Sequence, residues 1–143
     1  MYCYKYPHPA VTADCIVFNR EGDTISVLLI KRKNEPFKDC WAFPGGFINI
    51  DESAEDAAVR ELKEETGLEV SKIEQLKAYS NPERDPRERV ITIAFIAESK
   101  IKDVKGNDDA KEARWFDISN LPALAFDHEI ILKDAIDKLR GKN

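Results

Sequence analysis

Between Gly46 and Leu68 the chain reads GFINIDESAEDAAVRELKEETGL, and the fixed intervals in this segment constrain the fold more than any other part of the sequence. The pattern is G-x5-E-x7-R-E-U-x-E-E-x-G-U with U aliphatic, filled by Gly46, Glu52, Arg60, Glu61, Leu62, Glu64, Glu65, Gly67 and Leu68. At ordinary residue usages, a chance match in a chain of this length has odds on the order of one in ten million. The segment therefore specifies both a local structure and a chemistry.

The local structure is a helix over roughly Ser53 to Thr66. Asp51 or Ser53 caps its start, Glu55 and Asp56 suit the positive end of the dipole, and Gly67 suits a left-handed stop. At about 100° per residue, Glu61, Glu64 and Glu65 share an arc of roughly 100° on the last turn. Each like-charge pair there costs about 0.2–0.5 kcal/mol, and the negative end of the helix dipole adds to the repulsion. Such crowding calls for a cation. A hard divalent ion such as Mg²⁺ answers the need, because it takes oxygen ligands and combines protein carboxylates with substrate phosphates. The plainer alternative is a solvated acidic face, with Arg60 and Lys63 relieving the repulsion. The register of Gly46, Glu52, Arg60 and Gly67 favours the metal site.

Taken together these residues resemble the Nudix box. The resemblance implies an α/β fold, a Nudix-type α/β/α sandwich with a mixed central sheet and the box helix packed on it, in a single domain spanning residues 1–143. It implies that Glu61, Glu64 and Glu65 are metal ligands, that Glu52 is a ligand or is linked through water, and that the metal is Mg²⁺, with Mn²⁺ able to replace it. Arg60 would orient a catalytic glutamate by ion pairing, although long cationic side chains on helices also snorkel to water. Gly45 and Gly46 follow Trp41-Ala42-Phe43-Pro44, and the family places a metal-binding carbonyl in this turn. A glycine pair there permits positive φ and close approach of backbone to ligand.

The rest of the chain limits what surrounds that site. At 143 residues it is long enough for one domain with its own core. With 34% charged residues and a net charge of −5, its bulk surface does not attract nucleic acid or anionic membrane, so a polyphosphate must be held locally. No apolar run is long enough to span a membrane and the opening residues lack a signal-peptide core, so a cytoplasmic location is expected. Cys3, Cys15 and Cys40 lack paired spacing and read as free thiols, Cys15 as core packing. His8 and His128 are far apart, and a histidine at a helix start reads as structural or as surface.

Val11 to Phe18 and Ile25 to Lys31 read as a hairpin joined through Asn19 to Asp23. Ile73 to Ser80, Val90 to Glu98 and Lys111 to Phe116 are further strands. A final amphipathic helix is expected from Asp127, its cap, to Leu139, with Ile130, Ile131, Leu132, Ala135, Ile136 and Leu139 as its apolar stripe.

Substrate choice must come from outside the box. Pro82 stands fifteen positions beyond Gly67, and Asn81-Pro-Glu-Arg-Asp-Pro-Arg87 resembles the post-box stretch of the ADP-ribose pyrophosphatase subgroup. Tyr6 to Asp14, Lys31 to Phe37 and Glu112 to Phe116 carry the same resemblance. Arg32, Arg84, Arg87 and Arg89 are candidates for a diphosphate clamp, Arg84 and Arg87 first, against the alternative of a solvated loop. Phe37, Tyr79 and Trp115 are candidates for stacking on a base, although aromatics in strands are more often core.

The resemblance implies metal-dependent hydrolysis of a small nucleoside diphosphate derivative, with ADP-ribose giving AMP and ribose 5-phosphate as the leading case. The general base is Glu64 or Glu65, or else Asp108, Asp109 or Glu112 in a later loop; the sequence leaves this open. The rivals are a nucleoside triphosphate pyrophosphohydrolase acting on CTP or oxidised nucleotides, and a non-catalytic ADP-ribose sensor of the kind fused to DNA-binding domains. The chain ends just after the last helix and its acids are intact, so catalysis without a nucleic-acid partner is expected. A homodimer is one option the subgroup implies.

Overall fold

The computed structural model describes residues 1–105 and 110–141, with the side chains of residues 110 and 111 left aside; Asp108 and Asp109 lie outside the described residues. Seven strands and two helices follow in the order β1 (Ala10–Glu21), β2 (Thr24–Arg32), β3 (Trp41–Ala42), β4 (Gly45–Phe47), α1 (Ala54–Thr66), β5 (Glu74–Tyr79), β6 (Val90–Glu98), β7 (Ala110–Asp117) and α2 (His128–Leu139).

The sheet is mixed. Its path is β3-β2-β1-β6-β5, with β4 paired to β1 and β7 to β2. Among the described strands β1 and β6 run parallel, in register from Ala10 opposite Val90 to Phe18 opposite Glu98. The other edge of β1 is shared. Phe18 to Glu21 pair with β2, whereas Thr12 to Asp14 pair with β4. Between these stretches β1 and β2 splay, and the Cys15 amide donates to Pro44 O across the gap. This splay brings Gly45 and Gly46 beside the middle of the sheet and under α1.

Alternation along β1 explains the two layers. Ala13, Cys15 and Val17 point to one face, where they bury against Ala57, Ala58 and Leu62 of α1. Ile16 and Phe18 point to the other, where Ile131, Leu132 and Ala135 of α2 cover them with Trp41 and Phe43. The expected sandwich, with the box helix packed on a mixed sheet, is the fold observed. The three cysteines are free thiols; Cys15 is fully buried, and that burial pushes its thiol up to about 12.

Local expectations held where the signal was local. Ser53 caps α1 by accepting from the Asp56 amide, and Gly67 ends it at φ 79°. Four details differ. The hairpin turn is only Gly22-Asp23, because Asn19, Arg20 and Glu21 are extended and paired to Ser26, Ile25 and Thr24. Gly45 and Gly46 form a strand rather than a turn, and neither has positive φ. Asp127 precedes α2 but makes no side-chain cap bond, since its carboxylate is taken by Arg84. Ile130 is 61% exposed and is not part of the apolar stripe.

Candidate functional site

The buried stripe of α1 runs Ala57, Ala58, Leu62 and Thr66, and Glu65 lies within it. A carboxylate in that position is costly unless bonded. Its Oε1 accepts from the Gly45 amide at 2.7 Å, and the residue is only 5% exposed. Glu61, one turn earlier, is also mostly buried, while Glu64 turns outward with a side chain 56% exposed.

Arg60 offsets the charge crowding. Its Nη1 donates to Glu61 at 2.9 Å and to Glu64 at 3.2 Å, its Nε to Glu52 at 3.0 Å, and its Nη2 to Glu52 and to Phe47 O. One guanidinium thus ties the loop before α1, the helix and β4 together. The Arg60 hydrogen bonds, with the Asn49 amide, hold the Glu52 carboxyl down at about 2, and Glu52 in turn raises Arg60 further above its ordinary range.

The facing wall is β4, and here close approach is what requires glycine. A Cβ on Gly45 would stand 2.1 Å from Asp14 Oδ1 and 2.5 Å from Ala13 O; one on Gly46 would stand 2.7 Å from the Glu61 carboxyl. Asp14, Gly45, Gly46, Glu61 and Glu65 therefore converge at one end of a cavity of about 610 Å³.

The cavity also collects Arg32, Arg84 and Arg87, which the sequence marked, but not Arg89. Two of the three are already paired with carboxylates. Arg84, with a side chain 4% exposed, donates Nε and Nη2 to the two oxygens of Asp127 at 2.9 and 2.7 Å. Arg87 donates Nε and Nη2 to Asp85 at 3.1 and 2.7 Å. Burial pushes Asp85 up, but the bonds from Arg87 and the nearby Arg84 outweigh it and leave the carboxyl below its ordinary range. Arg32 donates Nε to Pro36 O at 2.8 Å and lays its guanidinium over Phe126.

Other expectations are not brought to the cavity. Phe37, Tyr79 and Trp115 do not line it; the Tyr79 hydroxyl donates to Asp134, and the Trp115 indole to Lys102 O. Phe43, Phe47 and Phe126 are the lining aromatics instead. Glu52 and Glu64 stand beside the cavity through Arg60 rather than on its wall. Glu112 is off the wall as well, its carboxylate accepting from Arg114 at 2.6 Å.

Asp14, Asp85, Phe126 and His128 line the cavity without having been marked as site residues. His128 is buried. Its Nδ1 accepts from the Phe43 amide at 3.2 Å, which leaves the proton on Nε2, 3.7 Å from Asp14 Oδ2. Burial lowers this imidazole to about 3, so it is neutral at ordinary pH. Burial likewise raises Asp14 to about 6, moderated by a 2.7 Å bond from the Thr92 hydroxyl. The signal for Asp14 was present: it shares the inward parity of Thr12, Ile16 and Phe18, and a carboxylate at a core position of a strand needs a reason.

The donors at the box end are all oxygen, the set a hard divalent ion prefers. Among the described residues no group of three or more His, Cys, Asp or Glu side chains is already gathered to hold a metal ion. Among the described lining residues five are carboxylates and four are cationic, so the wall carries no excess positive charge for a polyphosphate. A bound cation would supply it.

The chain is similar to known proteins over most of its length. The chain is 55% identical over 139 residues to the ADP-ribose pyrophosphatase of Methanocaldococcus jannaschii, a match covering 96% of this chain and 78% of that protein. The crystal structure of a MutT/nudix family protein from Enterococcus faecalis superimposes with TM-score 0.91 at 35% identity, over 99% of this chain and 66% of that one. The NUDIX domain of Shewanella oneidensis NrtR, crystallised with ADP ribose, follows at TM-score 0.88 and 30% identity, over 94% of this chain and 90% of that one. The NUDIX domain model itself matches residues 8–139, and with the box in register on α1 the chain belongs to the Nudix hydrolase family.

Proposed function

We propose that this chain hydrolyses the diphosphate of a nucleoside diphosphate derivative, with ADP-ribose as the leading substrate and AMP and ribose 5-phosphate as products. The observation that carries this reading is the convergence of Glu61 and Glu65 with the glycines of β4 at one end of a cavity wide enough for a nucleotide. The 55% identity to an ADP-ribose pyrophosphatase supports the choice of substrate.

In this reading Glu61, Glu64 and Glu65, with a carbonyl of Gly45 or Gly46, hold Mg²⁺, for which Mn²⁺ can substitute. When bound, the ion neutralises diphosphate charge and acts as a Lewis acid on it. Arg60 keeps Glu52, Glu61 and Glu64 in one arrangement, so the helix end does not rearrange as substrate charge arrives. The Gly45 amide fixes one oxygen of Glu65. Of the base candidates that lie among the described residues, Glu64, Glu65 and Glu112, Glu65 is the one on the cavity wall, and we assign it the proton of the attacking water. Arg32 and Lys33, also on the wall, face the substrate's anionic part.

A cytoplasmic location, a homodimer and the absence of a nucleic-acid partner belong to the same proposal. Three free thiols support the location and a net charge of −5 the lack of a nucleic-acid partner; the homodimer rests on the resemblance to the subgroup alone. The test is a Mg²⁺-dependent hydrolysis panel of ADP-ribose, NADH, diadenosine polyphosphates, CTP and 8-oxo-dGTP. AMP from ADP-ribose as the fastest product supports the proposal. Pyrophosphate released faster from a triphosphate rejects the substrate, and tight ADP-ribose binding without turnover rejects catalysis in favour of sensing.

A further inference from the structure

The cavity wall also carries a cluster of aromatic and guanidinium groups whose chemistry differs from that of the box. There the Arg87 guanidinium carbon lies 5.6 Å from the centre of the Phe126 ring and 5.8 Å from that of Phe47, and Arg32 lies 4.9 Å from Phe126. Arginines facing a phosphate keep their two-pronged edge for it. Here Asp85 occupies that edge of Arg87 with both carboxylate oxygens and also accepts the Arg87 amide at 2.9 Å.

Phe126 is held in place at a cost. Its φ of 52° is unusual for a residue with a side chain, and such strain persists where the surroundings enforce it. The ring packs on Phe37 at 4.8 Å and on His128 at 5.6 Å between centres, so its position is set from several sides. Phe47 is 43% exposed on the cavity wall, directly after the glycines that face Glu61 and Glu65. The open ring is therefore accessible to a ligand in the cavity.

Two phenyl rings and a cationic plane complement an electron-rich heteroaromatic ring, whereas a sugar phosphate gains little from them. We infer that Phe47, Arg87 and Phe126 form the platform on which the nucleobase of the substrate stacks, Arg87 acting through its face and not as a phosphate clamp. The inference rests on the nucleotide reading of this site and names the residues that take the base. It also replaces the sequence-based assignment of Arg87 to the diphosphate.

Ribose 5-phosphate is AMP without its base, so the two dissociation constants, measured by calorimetry at fixed Mg²⁺, isolate the base. The wild-type protein should bind AMP about 10-fold more tightly than ribose 5-phosphate. Arg87→Lys keeps the charge and loses the plane; Phe47→Leu keeps apolar bulk at an exposed position where folding is not at stake, as a thermal melt verifies. Each should weaken AMP about 5-fold or more and leave ribose 5-phosphate within 2-fold. Equal weakening of both ligands, or an unchanged ratio in Phe47→Leu, overturns the platform. Hydrolysis of ADP-ribose is read separately: its absence defeats the catalytic proposal and leaves the ratio interpretable, and a wild-type ratio near one defeats the platform however fast the hydrolysis.

Discussion

Replacing Gly46 by alanine separates the site from the fold. Both Gly45 and Gly46 have ordinary negative-side backbone, so alanine is strained at neither through φ, and what differs is the neighbour. At Gly46 the three atoms nearest the added Cβ all belong to the Glu61 carboxyl, at 2.7–2.8 Å, the far end of a flexible side chain. Ordinary contact begins at 3.4 Å, so that carboxylate must retreat by about 0.7 Å. Displacements of about 1 Å at a reacting centre can cost about 100-fold. We expect Gly46→Ala to lower kcat by roughly 10- to 100-fold with its melting temperature within about 3 °C of wild type. Gly45→Ala is the control. Its Cβ meets Ala13 O and the Asp14 Cα at 2.5 and 2.9 Å, backbone that can yield only by opening the β1–β4 pairing. Overpacking of that kind costs about 1–3 kcal/mol, a fall on the order of 5–10 °C. The assay is ADP-ribose turnover in saturating Mg²⁺ beside a thermal melt of each variant. Wild-type turnover in Gly46→Ala, or an equal loss of stability in both variants, would refute the argument.

Glu65→Gln should lower turnover by at least ~100-fold in saturating Mg²⁺, the usual scale for losing one charged partner of a transition state, and an unaffected rate would remove Glu65 from the site. Arg60→Gln leaves Glu52, Glu61 and Glu64 without their common counter-charge; the Mg²⁺ concentration giving half-maximal rate should shift several-fold, and an unchanged metal titration would show that Arg60 does not organise them. The Glu52 carboxyl sits at about 2 in the folded chain, below its ordinary 4.5. A depressed carboxylate contributes stability above 4.5 that is lost as pH falls through 2, so the melting-temperature gap between wild type and Glu52→Gln should narrow on acidification across that window. A gap independent of pH would contradict the ion pair.

What could be read from the sequence was mostly local. The box helix was legible because its cap, its acidic first turn and its glycine stop lie within a few residues of one another, and its carboxylate arc follows from helix geometry alone. Strands β1, β2, β5, β6 and β7 showed as short runs of strand-forming residues set off by turn and loop residues. The short strands β3 and β4 did not, because two- and three-residue strands carry no period and exist only where β1 and β2 splay. Asp127 shows the same limit. Its type and position suggest a helix cap, yet an arginine 43 residues away in sequence takes its carboxylate. Arg84 and Arg87 were recognisable as cavity arginines, but whether a guanidinium offers its edge or its face depends on Asp127 and Asp85, and only the folded chain brings those groups together. The lining aromatics likewise come from segments that carry no stacking motif.

The most direct measurement of the central claim is product formation from ADP-ribose after the protein has been stripped with a chelator, dialysed, and returned to Mg²⁺ in steps. The account predicts no turnover in the stripped protein, and AMP and ribose 5-phosphate appearing in equal amounts as Mg²⁺ is restored. Turnover that persists without the metal, or none when it is returned, would contradict it.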